Sequence, residues 1–142
     1  MAALVVLLLP VAILSIGMVG DLGVVFFARK AVQAACDLGA LAGVLELDWD
    51  RLAAGQVAIR EQEGRAVAAD LTRQNLESVS RLVVIVSLST SVQNPPVKSE
   101  PVLTVEANFR VRTPFLGAIP GLQADFEGRV LAQASVVKRT KW

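Results

Sequence analysis

The sequence predicts an α+β fold in which a long N-terminal helix carries a second helix and a C-terminal three-stranded antiparallel sheet. Three observations predict it. Met1 to Gly20 (MAALVVLLLPVAILSIGMVG) contains no charged side chain. A helical apolar pattern then runs to about Leu47 with no Pro after Pro10, and a second begins at Asp48. Beyond Ser78 the apolar period falls from about 3.6 to 2.

The first twenty residues, at about 1.5 Å rise each, span a hydrocarbon core of ~30 Å. A cleavable secretory signal would bring a basic n-region and a shorter apolar run, so the segment reads as a retained anchor. The first basic side chains, Arg29 and Lys30, place the rest of the chain in the cytoplasm if Met1 is the true start. If a basic leader has been removed, the orientation reverses.

From Asp21 to about Leu47, an apolar stripe is carried by Leu22, Val25, Phe26, Val32, Leu38, Leu41 and Leu45. One helix over 1–47 would be roughly 70 Å long. The remaining chain cannot cover such a rod, so lipid or other copies must bury part of it. A second helix is predicted over about 48–75, capped by Asp48 with Trp49 and Asp50 in its first turn and supported by a Glu61–Arg65 pair. Gly55 and Gly64 weaken its continuity.

Strands are predicted at about 80–92, 102–112 and 123–137. Val84, Val86, Leu88 and Val92 alternate with Ser87, Ser89 and Ser91; Leu103, Val105, Ala107, Phe109 and Val111 alternate with Thr104, Glu106, Asn108, Arg110 and Arg112. Ala124, Phe126, Val130, Ala132, Ala134 and Val136 are set against Asp125, Glu127, Arg129, Gln133 and Ser135. Two Pro-containing turns, Gln93 to Pro101 and Thr113 to Gly121, suit antiparallel neighbours. The chain divides into a helix, 1–47, and an α+β head, 48–142.

Composition narrows the function. The chain is 54% apolar and only 19% charged, which argues against a freely soluble monomer. With no His, no Tyr and one Cys, His-based catalysis, His/Cys metal sites and an intrachain disulfide are excluded, and neither an enzymatic role nor a cofactor is expected. A net charge of +1 supplies no field to draw nucleic acid.

Several residues are candidates for assembly. Asp21 follows twenty uncharged residues and reads either as a functional carboxylate near hydrocarbon depth or as the solvated edge of the anchor. Ala31, Ala35, Gly39 and Gly43 recur every four positions, which admits close approach of another helix or reflects Ala-rich helix composition alone. Cys36 is most simply a small core residue, with an intermolecular disulfide as the alternative. Lys138, Arg139, Lys141 and Trp142 form a basic end, either a solvated tail or a docking patch. Glu106, Arg110, Arg112, Glu127 and Arg129 form a solvated or subunit-facing strand surface. The Asp125/Glu127 pair lacks the cleft and partners of a glycosidase site.

Leu7 to Gly43, with LLLP, then GDLG, then FFARKAVQAACDLGALAGV, resembles the N-terminal segment of the TadE/TadG-like family of Flp (Tad) pilus proteins. The turn TPFLGAIPG resembles a turn in the heads of such proteins. The resemblance implies a type IV pilin-like subunit with its helix at the filament core and its head outward. Leu7, Leu8, Leu9 and Pro10 then belong to that core together with the small residues. It further implies a helical homopolymer, a membrane stage before assembly and pilus assembly machinery as partner. Localisation would pass from inner membrane to an extracellular filament on a bacterial surface. Type IV-like pilins commonly carry a glutamate at the fifth mature position, where this sequence has Val5. Asp21, facing a neighbour's amino terminus, Arg29 or Lys30, is the candidate substitute. A low-copy minor or assembly pilin, or a monomeric membrane-anchored binding module, are the alternatives.

Overall fold

The computed structural model describes residues 2–95, 100–119, 121 and 125–137, with side chains for all of these but 2, 3 and 5. Helix α1, Ala2–Val44, has 43 residues and a length of ~65 Å. Pro10 lies inside it and withholds one backbone donor. The side of α1 that meets the rest of the chain carries Ala28, Val32, Ala35, Cys36, Ala40 and Val44, all buried, at steps of three and four residues. Phe26, Leu38, Leu41 and Leu45 of the sequence stripe point away and are exposed, and Leu22 is exposed beside Leu116 and Phe126. Small residues therefore face inward on this helix and large ones outward.

The single helix predicted over 48–75 is two helices, α2 (Trp49–Ala53) and α3 (Glu61–Glu77). Asp48 caps α2 as predicted, accepting the Arg51 N–H at 3.1 Å. Gly55 then takes φ +80°, a conformation that ends the helix. The chain returns extended alongside the end of α1. The Asp48 N–H donates to Ala58 O at 2.9 Å, and the Arg60 N–H to Glu46 O at 2.8 Å. Asn94 locks this return, accepting from the Ile59 N–H at 2.9 Å and donating to Ile59 O at 2.8 Å. Burial of Ala58 and Ile59 in paired extended backbone outweighs the modest helical propensity of the Ala-rich segment. The Glu61–Arg65 pair forms at 3.6 Å on the exposed side of α3.

Strands β1 (Val83–Gln93), β2 (Val102–Arg112) and β3 (Asp125–Ser135) form an antiparallel sheet in the order β1-β2-β3. Leu103, Val105, Ala107, Phe109 and Val111 of the central strand are all buried against the helices, as their alternation predicts. Opposite Phe109, Gly128 of β3 has no side chain and the ring lies over it; a Cβ there would sit 2.5 Å from Phe109 Cζ.

In β1 the predicted phase fails in its first half. The ladder slips by one residue between Ile85 and Ser87. A bulge at Val86 thus reverses the alternation: Val83 and Ile85 point inward before it, Leu88, Thr90 and Val92 after it. Val84 and Val86, predicted inward, are 64% and 60% exposed.

Both long helices pack on one face of the sheet, α1 across β2 and β3 and α3 against β1. The Gln33 side chain donates to Leu131 O at 3.3 Å, tying the middle of α1 to β3. One end of the head is fastened at Asn94 near the C-terminal end of α1. Its other end is the β2–β3 loop.

Candidate assembly surface and membrane anchor

From Leu4 to Ile16, α1 stands clear of the head, and Leu7, Leu8, Leu9 and Pro10 are exposed. Alongside the head, Leu22 and Phe26 are exposed before Arg29 and Lys30, and Leu38, Leu41 and Leu45 after them; Leu41 is 55% exposed. By length and composition α1 can cross a membrane. The side chain of Val5 lies outside the described residues, as do Ala124 and the basic end at Lys138, Arg139, Lys141 and Trp142.

The small-residue ladder has a partner within the chain. Ala31 is half-buried, and Ala35, Gly39 and Gly43 are buried where α1 crosses α3. A Cβ on Gly39 would collide with Thr72 Oγ1. One on Gly43 would lie 2.5 Å from Gly64 O and 2.6 Å from Leu103 Cδ1. The facing side of α3 is built the same way, with Gly64, Ala68, Thr72 and Leu76 buried at steps of four. Thr72 satisfies its own hydroxyl by donating to Ala68 O at 2.7 Å, so that a polar group fits the seam. The close helix packing that the spacing predicts is met, within the chain, by α3 at Gly39 and Gly43. The four-residue rhythm of Gly64, Ala68 and Thr72 was available in the sequence as the matching half.

Asp21 is 3% exposed, and among the described residues it forms no ion pair. Its Oδ1 accepts the Phe115 N–H at 2.9 Å and its Oδ2 the Leu116 N–H at 2.7 Å. These donors open the single 3₁₀ turn Leu116–Ala118 in the β2–β3 loop, and Phe115 covers Gly17 one helical turn below. Arg29 and Lys30 are exposed, and among the described residues neither forms an ion pair. Within the chain, Asp21 is thus a carboxylate clamp on backbone amides, whereas its predicted ion pair is with the amino terminus, Arg29 or Lys30 of a neighbouring copy. Sequence reasoning missed Phe115 and Leu116 as its partners, because a backbone N–H has no residue signature.

Across the outer face of the sheet, Arg110 Nη2 reaches Glu127 Oε1 at 2.6 Å and Arg129 Nη2 reaches Glu106 Oε2 at 2.8 Å. The hydrogen bond from Arg110 to Glu127, with the carboxylate's charge, raises the guanidinium above its ordinary pKa. Both pairs are solvent-exposed and neutralise the face rather than anchor it. Cys36 is fully buried as a free thiol.

The segment that builds α1, the turn after it and α2 is the segment that comparison recognises. Residues 1–57 match the Flp pilus-assembly TadE/G-like (Tad) family. The match stops before α3 and the sheet, so the Tad-like part is the anchor helix with the start of the head. Among curated proteins and among solved structures, no match to the chain is found.

Proposed function

We propose that the chain is a structural, non-enzymatic pilin-like subunit, anchored in the inner membrane by α1 and polymerising through that helix into an extracellular Tad-like filament on a bacterial surface. The Tad match supports a pilus-related role. One observation carries the finer reading: large apolar side chains of α1 are exposed from Leu4 to Phe27 and again, past Arg29, Lys30 and Asp37, at Leu38, Leu41 and Leu45 beside the head. Exposed apolar surface of this extent marks an interaction site. In the membrane, lipid covers its N-terminal half, and in a homopolymer neighbouring helices cover all of it. The outward Leu38, Leu41 and Leu45, rather than Gly39 and Gly43, are then the contacts between copies. Delivery of subunits to the filament requires pilus assembly machinery as a partner.

The test is Leu38→Lys with Leu41→Lys in the full chain, expressed in its own host. Both positions are exposed, so membrane insertion and thermal unfolding in detergent should match the wild type. Sheared surface material viewed by electron microscopy should lose its filaments. Wild-type filament yield would overturn polymerisation through this stripe.

A further inference from the structure

We infer that the β2–β3 loop, Pro114 to Ile119, is a second membrane contact, seating the tip of the head in the lipid interface beside α1. The inference rests on reading α1 as a membrane anchor. The first ground is height along the helix. Phe115 packs on Gly17, inside the charge-free run, and the first exposed charges on α1 are Arg29 and Lys30. At about 1.5 Å per residue, Gly17 lies roughly 18 Å below Arg29. The one charge between them, Asp21, is withdrawn from the surroundings with both oxygens on loop amides. A bare carboxylate at that depth would be costly, whereas a hydrogen-bonded one is tolerated.

The loop's own composition is the second ground. Pro114 to Ile119 contains no charged side chain, and Pro114, Gly117 and Ala118 are exposed at its tip. Leu82, just before β1, and Phe126, at the start of β3, add exposed apolar side chains at the same end of the head. Ser89, Ser91 and Gln133 occupy outward positions further toward the opposite end. Between α1 and the loop lies an open groove of about 500 Å³, lined mainly by apolar side chains such as Met18, Leu22, Leu116 and Phe126, with Asp21, Thr113 and the exposed Asp125 also in its wall. It is continuous with the apolar surface of the anchor, which selects a lipid acyl chain over water as its occupant. Arg112 and Asp125, register partners at the base of the loop, set the limit of immersion at the headgroups.

Depth can be measured on the full chain in phosphatidylcholine vesicles, with nitroxide labels placed singly at Val11→Cys, Ala118→Cys and Ser91→Cys in a Cys36→Ala background. Accessibility to dissolved oxygen and to a water-soluble nickel chelate is read by power saturation. Gly117→Cys repeats the loop measurement, since its side chain meets nothing closer than Arg112 Cγ at 3.9 Å. The loop labels should be open to oxygen and shielded from nickel, resembling Val11 and unlike Ser91. Loop labels that behave as Ser91 does, with Val11 in lipid, would overturn the loop contact and leave the anchor standing. An aqueous Val11 would overturn both. Loop labels shielded from both reagents would mean that another copy, not lipid, covers the tip.

Discussion

Asp21 shows how one side chain can tie together segments of the chain that are distant in sequence. Its two oxygens hold the amides of Phe115 and Leu116, and each charge-assisted bond contributes about 1.5–3 kcal/mol when intact. Asp21→Asn keeps the shape but offers only one acceptor oxygen. It should lower stability by about 1–3 kcal/mol, with faster hydrogen exchange at Phe115 and Leu116. Because the partners are backbone amides, that loss should be nearly independent of salt, unlike the loss of an ion pair. Unchanged exchange at both amides would refute the clamp. Gly43 is the second decisive residue. Gly43→Ala forces a Cβ against Gly64 O and should cost about 1–3 kcal/mol of fold stability through overpacking. Gly23→Ala meets open space on the same helix and should leave the head's stability unchanged or slightly raised. Equal unfolding midpoints for the two variants in detergent would mean that the α1–α3 seam is not close-packed.

Among the elements, what the sequence made legible was whatever depended on local period and composition. The helix of α1, the cap at Asp48, the Glu61–Arg65 pair, the alternation of β2 and that of β3 from Val130 onward each rest on neighbouring residues, and each is present, whereas Phe126 at the start of β3 is exposed. Features that depend on distant partners were not legible. A bulge at Val86 adds one residue to a ladder and inverts the phase without changing composition. The small-residue rhythm of α1 announced a close helix but not whose helix it would be. Gly55 was visible as a weakness, while the extended return that makes it a break depends on Asn94, thirty-five residues from Ile59. Asn94→Ala should therefore remove both bonds to Ile59 and destabilise the return by about 1–3 kcal/mol. Hydrogen exchange at the Ile59 amide checks it, and retained protection would count against the lock.

At the scale of the molecule, the chain has an inward helix face made of small residues and an outward one made of large residues. The head is clipped close to α1 at both ends, and the apolar bulk of the helix is left for other surfaces. A chain lacking residues 1–20 keeps Asp21, the α1–α3 seam and, among the described residues, every buried residue of α1. It should fold, by circular dichroism and a cooperative melt, and fail to form filaments under electron microscopy, because about 20 apolar residues of the anchor are gone. Filaments from the truncated chain would refute that expectation. The burial of Cys36 has a practical consequence. The only thiol in the sequence sits on the inward face of α1 with no exposed surface. A maleimide can therefore reach it only when the helix peels away from the sheet. The rate of alkylation becomes a clock for that opening, readable by mass in detergent, vesicle or filament without any engineered label.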